Sequence, residues 1–311
     1  MKKLSIISLV LLLGMLSCLD PGRDNAYDPE NPDIAELGGT VFGINYQPVE
    51  GATIKLMQDT IIVDETESDV TGWYELTGII PDTYELVAEA DLYTCLEYDL
   101  DIAAGTRNDS FDLHFEEIFF DFEGEPLGPN PPSGFLIRSG QWDIIQDNTD
   151  PGLHSVPNVF RGINTYVPAE PFAQAVFKEP MKDFWMDAMF KYDTPSSVGL
   201  GAVGFVLRAQ DEHNFYLLLL DVDALGLWVV MGDTFHHQPS ALDTTVVFLP
   251  DTWYCMAADF HDNELYVYVN ENEVFHLQDN TFQQGFVGLC VKSWQAGGHS
   301  AVHFDDVGIW P

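Results

Sequence analysis

The stretch that most constrains the fold is Val203–Asp221, with the sequence VGFVLRAQDEHNFYLLLLD. Two mostly apolar runs, Gly204–Ala209 and Phe215–Leu220, flank the polar segment Gln210–Asn214. Strand-forming residues on both sides of turn-forming residues are typical of a β-hairpin. The stretch therefore predicts two neighbouring antiparallel strands of one sheet.

Arg208 is the one charged residue in the apolar runs of this hairpin. Because side chains alternate between the two faces of a strand, Phe205 and Leu207 are expected on one face, with Val206 and Arg208 on the other. Two interpretations stay open: Arg208 is a charge on an open sheet face, or it faces a ligand.

Composition and charge restrict the classes of partner. With 311 residues, 46% of them hydrophobic and 13% aromatic, the chain is long and apolar enough for two folded domains. Its formal charge of −38 comes from 50 acidic and 12 basic residues. Such a surface is expected to repel nucleic acid and anionic lipid headgroups. It suits cations, neutral sugars or a saline medium, so calcium dependence and a salty habitat are competing explanations.

The first residues are typical of an export signal. Leu4–Leu16 is an uncharged, mostly apolar run after two lysines, too short to span a membrane. Met15-Leu16-Ser17-Cys18 resembles the lipobox of bacterial lipoproteins. The resemblance implies a signal peptide over residues 1–17, lipidation of Cys18, and a membrane anchor in the bacterial cell envelope, on the periplasmic side or at the cell surface. The alternative is an ordinary secreted protein. Residues 18–37 form an acidic, proline-containing tether.

Residues 38–116 contain short strand candidates with Gly and Pro between them, which predicts a small antiparallel sandwich. Tyr74 and Tyr84 suit core positions that keep a polar tip. Four segments carry a family resemblance: Gly39-Thr-Val, Pro48-Val-Glu-Gly-Ala-Thr-Ile, Thr71-Gly-Trp-Tyr and Ile80-Pro-Asp-Thr-Tyr-Glu-Leu. They resemble the carboxypeptidase regulatory-like domain. The resemblance implies a prealbumin-like, seven-stranded sandwich that acts as a spacer, with protein or glycan binding as the alternative.

Residues 118–311 also contain short strand candidates and no long helical period, which predicts a two-sheet jelly roll. Several segments fall in the order of a known family: Phe184-Trp-Met-Asp-Ala-Met-Phe, Gly204-Phe-Val-Leu-Arg-Ala-Gln-Asp, Thr252-Trp-Tyr, Asn263-Glu-Leu-Tyr-Val-Tyr-Val-Asn and Phe304-Asp-Asp-Val. They resemble a concanavalin A-like lectin/glucanase domain of the laminin G-like and 3-keto-disaccharide hydrolase-like kind. This resemblance implies the fold, which hosts lectins, glucanases and adhesion modules alike.

No pair of carboxylates marks this chain as a glycosidase. The glucanases of this fold need acids on one strand in an E-x-D-x-x-E pattern, and the matching strand carries only Asp187. Glu271 and Glu273 share a face but fall in an apparent turn. Hydrolysis of a glycoside or 3-keto-disaccharide therefore stays an alternative function.

Acids near both ends of the second domain predict a structural calcium. In jelly-roll carbohydrate-binding modules the end strands pair, and acids at both places hold the ion. Calcium takes six to eight oxygen ligands, and closely spaced carboxylates repel one another without a cation. The alternative is a solvated acidic edge or side chains that cap turns. The candidate ligands are Asp121, Glu123, Asp305 and Asp306.

A candidate sugar platform combines aromatic rings with the hairpin arginine. Stacking faces and a fork of hydrogen-bond donors are what a pyranose ring needs. The alternative is that these aromatic residues belong to the core or rim of a Trp-rich sandwich. The candidate residues are Arg208, Tyr216, Trp228 and Trp294.

The cysteines other than Cys18 are Cys95, Cys255 and Cys290, an odd number. Strand parity places Cys255 and Cys290 on opposite outer faces, so they are not expected to form a disulfide. Taken together, the sequence predicts an all-β lipoprotein with a non-catalytic carbohydrate-binding or adhesion role. A hydrolase and a structural envelope protein are the alternatives.

Overall fold

The computed structural model describes residues 34–44, 46–150, 152–165, 172–193, 201–221, 224–232, 234–243, 249, 251–294 and 299–311. The predicted signal peptide, Cys18 and most of the tether lie outside these residues. The chain forms two compact units, one of residues 1–91 and 95–115 and one of residues 92–94 and 116–311. Both units are built from strands, and among the described residues no helix could cross a membrane.

The first unit is a sandwich of two four-stranded sheets, with strand orders β4-β1-β7 plus β8 beside β1, and β3-β2-β5-β6. Alternating side chains such as Ile54, Leu56 and Leu86 fill the space between the sheets. Its strands are β1 (Ala35–Phe42), β2 (Thr53–Gln58), β3 (Ile61–Glu67), β4 (Trp73–Ile79), β5 (Asp82–Glu89), β6 (Leu96–Ile102), β7 (Arg107–Asn108) and β8 (Leu113–His114).

The last strand of this sandwich is interrupted. β7 and β8 both run parallel to β1, and between them the Phe111 amide donates to the Gly38 carbonyl at 2.9 Å. The Asn108 side chain accepts from the Ser110 amide, which kinks the chain there. Tyr74 and Tyr84 are buried and donate their hydroxyls to backbone carbonyls at 2.7 Å, which confirms that they are core residues with a polar tip.

The second unit consists of two large sheets in which all strand pairs are antiparallel. The seven-stranded sheet has the order β10-β13-β22-β15-β16-β17-β18, and the other sheet has the order β11-β12-β23-β14-β19-β20-β21 with β9 beside β23. Their strands are β9 (Ile118–Phe120), β10 (Phe135–Ser139), β11 (Gln141–Gln146), β12 (Asn158–Thr165), β13 (Phe172–Phe177), β14 (Phe184–Tyr192), β15 (Gly201–Ala209), β16 (Asn214–Leu220), β17 (Leu225–Met231), β18 (Thr234–Asp243), β19 (Tyr254–His261), β20 (Glu264–Val269), β21 (Asn272–Gln278), β22 (Phe286–Ser293) and β23 (His299–Trp310).

This architecture is the all-β, two-sheet jelly roll that the sequence predicts. The hairpin of residues 203–221 forms β15 and β16, and Val203 faces Leu220 across it. The first and last strands of the unit pair, with Ile118 opposite Ile309. The sequence pattern missed β10, β12 and β18, whose mixed polar and apolar residues give no clean alternation.

Each sheet has an inner face toward the other sheet and an outer face. The outer face of the seven-stranded sheet carries a buried apolar cluster that includes Phe172, Val206, Leu217 and Cys290. Phe172 lies on β13 and Phe235 on β18, five strand spacings away. In a flat sheet these strands would be about 24 Å apart, at ~4.8 Å per spacing. Their ring centroids are nevertheless 5.6 Å apart. The sheet is therefore curled, and its outer face is concave.

Gly204, in the middle of β15, has no room for a side chain, because an added Cβ would lie 1.8 Å from the Leu218 carbonyl oxygen of β16. We expect Gly204→Ala to lower the free energy of unfolding by about 2 kcal/mol or more, as overpacking against backbone does. Urea denaturation measures this change. Gly124→Ala is the control, since nothing lies within 4 Å of its added Cβ. Equal urea midpoints for the two variants would contradict the packing described.

Candidate functional site

Arg208 is buried in the interior of the second unit and does not face an open surface. Its φ of +46° and a register shift between Val206 and Ala209 show a β-bulge. The bulge turns Arg208 to the inner side, and Ala209 then joins Val206 on the outer side. Both sequence interpretations of Arg208, as an open-face charge and as a ligand contact, are therefore wrong, because strict alternation fails at the bulge.

The Arg208 guanidinium instead ties together three connections at one end of the sandwich. Its Nε donates to the Lys182 carbonyl at 2.8 Å, and Nη1 donates to the carbonyls of Asp262 at 2.7 Å and Phe282 at 3.2 Å. The guanidinium carbon lies 3.6 Å from the Phe260 ring centroid. Burial lowers the pKa of Arg208. Arg208 is thus a positioning residue for the loops that it holds.

Tyr216 has a related role at the same end. It lies opposite Leu207, so it also points to the inner side and does not belong to a sugar platform on the outer face. Its hydroxyl donates to Asp279 Oδ1 at 2.5 Å and accepts from the Phe282 amide at 3.0 Å. Burial and the Asp279 carboxylate raise the pKa of Tyr216.

The loops held by Arg208 and Tyr216 form a polar pocket of about 570 Å³. Asp279 is fixed in it by Tyr216, by Gln238 Nε2 at 3.0 Å and by the Thr281 amide at 2.7 Å. Amide, hydroxyl and carboxylate side chains supply both donors and acceptors here. We call this the end pocket; its lining residues are Asn263, Gln278, Asp279, Asn280 and Thr281.

A row of half-exposed aromatic residues crosses the outer face of the sheet that contains β14 and β23. Trp310, Trp185, Asp259, Tyr266 and His276 are successive cross-strand partners from β23 to β21. The Trp185 ring lies 5.2 Å from that of Tyr268, one step along β20. We call Trp185, Tyr266, Tyr268, His276 and Trp310 the aromatic band. Sequence reasoning missed it, although these aromatic residues alternate with buried ones along each strand.

Direct contacts join the aromatic band to the end pocket. The rings of Tyr266 and His276 stack with centroids 4.1 Å apart and an interplanar angle of 1°. His276 Nε2 is hydrogen-bonded to one carboxylate oxygen of Glu264, and Gln278 donates to the other. Because Gln278 also lines the pocket, a single ligand can contact both surfaces.

Asp187, the acid that the sequence singled out, lies beside the band, opposite Gly308 and Ala257. Gly308 and Trp185 act to lower the pKa of its carboxyl group, but burial acts more strongly in the opposite direction. Burial raises the pKa of Asp187 to about 6.

The other two predicted sugar contacts lie on the opposite side of the unit. Trp228 is half-buried against the apolar cluster of the seven-stranded sheet, with its ring 5.2 Å from that of His237. Trp294 follows β22 and is 42% exposed. The four predicted residues therefore form no single platform, since Arg208 and Tyr216 point inward.

The structure brings together two of the four predicted calcium ligands. The Ser155 Oγ lies 3.2 Å from Asp305 Oδ1 and 2.7 Å from Asp306 Oδ1. It is also 3.4 Å from the Asp121 backbone carbonyl. The Asp121 carboxylate accepts a hydrogen bond from the Glu123 amide. The Glu123 carboxylate accepts one from the Asn158 amide. The four carboxylates therefore do not converge on one point.

Asp305 is fully buried beside His154, whose Nδ1 is 2.8 Å from Asp305 Oδ2. Burial, with the charge of Asp306, raises the pKa of Asp305 to about 9. Within the ranges that the structure describes, no three His, Cys, Asp or Glu side chains are grouped to hold a metal ion. The oxygens around Ser155 are of the type that calcium prefers, but they are fewer than its six to eight ligands. Calcium binding stays a prediction.

A buried charge network that the sequence did not reveal lies nearby. Lys191 donates to Asp147 and to Thr149 Oγ1. His303 lies between two acids, with Nδ1 2.6 Å from Asp147 and Nε2 3.2 Å from Asp193. Burial opposes ionisation of Asp147, but these hydrogen bonds outweigh it and hold its pKa well below the ordinary value. The network fastens the connection between β11 and β12 to the sheet.

The described cysteines, Cys95, Cys255 and Cys290, are all free thiols, which confirms that Cys255 and Cys290 are not bonded. Cys255 lies on the outer side of β19, and Cys290 belongs to the outer cluster of the seven-stranded sheet. Burial raises the pKa of Cys290 to about 12. Burial also raises the pKa of Cys255 to about 11, so Cys255 and Cys290 are poor nucleophiles.

No protein-family model matches this chain, and no curated protein matches it. Solved structures resemble it remotely. A carbohydrate-binding module, CBM66, from Bacillus subtilis is 17% identical with a TM-score of 0.45, covering 60% of this chain and all of its own. A β-glucanase from Bacillus licheniformis is 10% identical with a TM-score of 0.42, covering 63% and 98%. A Bacteroides ovatus mixed-linkage glucan GH16 protein is 10% identical with a TM-score of 0.43, covering 62% and 99%. Such remote likenesses assign no function.

We expect Arg208→Met to lower the free energy of unfolding by roughly 2–5 kcal/mol, because several buried carbonyls lose their donor. Hydrogen exchange of residues 262 and 279–285 should also accelerate. Arg107→Met is the matched control, since its side chain is 66% exposed and a change within about 0.5 kcal/mol is expected. Similar unfolding curves for both variants would refute the role given to Arg208.

For the cation, we expect calcium to raise the midpoint of thermal unfolding relative to a chelator. A concentration one hundredfold above Kd stabilises by about 2.7 kcal/mol. Asp306→Asn should remove the difference, because it neutralises one of the two carboxylates beside Ser155. Identical midpoints of the wild-type protein with calcium and with chelator would eliminate the site.

Proposed function

We propose that the second unit binds a neutral polysaccharide without cleaving it, with the glycan lying along the aromatic band and entering the end pocket. The observation that carries this proposal is the junction between the two surfaces. Gln278 lines the pocket and shares Glu264 with His276, which stacks on Tyr266.

The end pocket supports recognition of hydroxyl groups. Its lining side chains offer amide donors and carbonyl, hydroxyl and carboxylate acceptors, which match the alternating donor and acceptor character of sugar hydroxyls. Asp279 is held by three hydrogen bonds before any ligand arrives. A preorganised acceptor of this kind loses little entropy on binding.

The aromatic band supports binding of an extended chain. It follows the direction across the strands from β23 to β21, four strand spacings or about 19 Å at ~4.8 Å each. Half-exposed rings bury apolar area when a sugar ring stacks on them. The Asp259 carboxylate lies within the same row and would accept hydrogen bonds from sugar hydroxyl groups.

The charge of the chain favours a neutral ligand at this surface. Asp259, Glu264 and Asp279 all lie along the proposed path, and a polyanion would be repelled by them. The lipid anchor predicted at Cys18 would hold this unit at the cell envelope, on the periplasmic side or at the cell surface. That anchor is tested separately, by loss of membrane association in Cys18→Ser.

The glycan proposal is tested by affinity electrophoresis and calorimetry of the full chain with neutral plant, algal and bacterial polysaccharides. For a retained polysaccharide, Trp185→Ala and Asn280→Ala should each weaken binding by about 1–3 kcal/mol, through loss of stacking and of a buried hydrogen bond respectively. Trp73→Ala in the first unit is the aromatic control and should bind as the wild type does.

No retention on any neutral polysaccharide, or retention unaffected by both Trp185→Ala and Asn280→Ala, would refute the proposal. Release of reducing ends that Asp187→Asn abolishes would favour the glycoside hydrolase instead. The raised pKa of Asp187 gives this alternative its one structural support, since general acids have raised pKa values.

A further inference from the structure

Lys292 occupies an unusual position on the concave outer face of the seven-stranded sheet. It lies on β22, between Phe172 of β13 and Ala202 of β15. Two residues earlier on the same side of β22 is Cys290, which belongs to the buried apolar cluster. Lys292 is therefore a half-buried cation at the edge of an apolar surface, on the side of the unit opposite the aromatic band.

Three aromatic rings surround the Lys292 ammonium. Its Nζ lies 4.1 Å from the ring centroid of Phe172, 4.6 Å from that of Trp294 and 5.2 Å from that of Phe235. All three distances are within the ~6 Å of a cation–π contact. Phe235 and Trp294 are both 42% exposed, so the cluster opens to solvent on one side.

Among the residues that the structure describes, no acid forms an ion pair with this ammonium. Lys182, Lys191, Arg161 and Arg208 each form an ion pair with a carboxylate. In the part of the chain that the structure describes, Lys292 has no such partner, although the protein carries 50 acidic residues. Burial lowers the pKa of Lys292, as expected for an ammonium that is partly removed from water.

Aromatic rings alone are a weak replacement for water around an ammonium. A cation–π contact stabilises a desolvated charge less than a hydrogen-bonded carboxylate does. A ligand that brings an anionic group to Nζ would remove this deficit, and its ring would stack on Trp294.

We propose that Lys292, Phe172, Phe235 and Trp294 form a second binding site, which takes a saccharide bearing an anionic substituent. The ammonium pairs with the carboxylate or sulfate group, and the exposed rings stack on the sugar face. This inference rests on the proposed function in one respect only, namely that the ligand is a saccharide. The two sites lie on opposite faces, so each can fail without the other.

The net charge of the chain gives this site a distinctive dependence on salt. The charge of −38 repels an acidic oligosaccharide at long range, and salt screens that repulsion over a Debye length of about 10 Å at 0.1 M. The half-buried pair with Lys292 is screened much less. Affinity should therefore rise or hold as salt increases from low values, whereas a simple basic surface patch would lose affinity.

The test is calorimetry of the full chain with a short oligogalacturonide, a sulfated galacto-oligosaccharide and a neutral galacto-oligosaccharide. Lys292→Met keeps an unbranched side chain over the rings but removes the charge. It should weaken binding of the acidic ligand about tenfold or more. Lys292→Arg should retain most of the affinity. Lys178→Met, at an exposed position, is the control and should bind like the wild type.

Binding of either acidic ligand that depends on Lys292 supports the site, and the two arms distinguish carboxylate from sulfate. Equal affinity of the wild type and Lys292→Met, or binding of neither acidic ligand, overturns it. If Lys292→Met does not fold, the site is tested in the wild-type protein by reductive methylation of Lys292 with and without the acidic ligand. The ligand should protect Lys292 from methylation, and absence of protection refutes the site. If Trp185→Ala loses binding of the neutral glycan and Lys292→Met keeps it, the result supports the proposed function and says nothing about the Lys292 site.

Discussion

The guanidinium of Arg208 is the interaction on which the candidate site depends. It is a buried cation whose donors end on backbone carbonyls of three separate connections, those after β13, β19 and β21. Backbone carbonyls cannot be relocated without moving the loops themselves, so this one side chain fixes their relative positions. Tyr216 adds a second attachment through Asp279 and Phe282. The end pocket is thus assembled by two side chains, Arg208 and Tyr216, that point into the core of the unit.

The sequence predicted the architecture well because it depends on features that repeat along the chain. Alternating residues and turn signals sufficed for the hairpin of β15 and β16 and for the two sheets. The pairing of the first and last strands was expected from the resemblance to jelly-roll modules. The prediction failed where a single residue departs from the repeat. A bulge at Arg208 places that side chain on the opposite face of the strand. The residues around Arg208 do not predict a bulge at this position.

The site was harder to predict than the fold for a related reason. Aromatic residues in a strand are expected in the core, so the sequence does not single out Trp185, Tyr266 and Trp310 as surface residues. In β20, however, Leu265 and Val267 already fill the inner side. Counting both faces of each strand would have found the aromatic band. The end pocket offers no such signal. Its residues come from the end of β21 and from loops, and they acquire a common position only through long-range contacts with Arg208 and Tyr216.

The distribution of charge in the second unit follows from the scarcity of bases. In a chain with 12 bases and 50 acids, a basic side chain placed inside a sandwich is either matched to an acid or held by carbonyls and rings. Lys191 and Arg161 follow the first pattern and Arg208 combines both. Lys292 has the rings alone. No acid of the described chain pairs with Lys292, although acids are abundant elsewhere in the sequence. Holding this ammonium among rings without a carboxylate costs free energy. An anionic ligand that pairs with the ammonium would explain why the chain keeps it there.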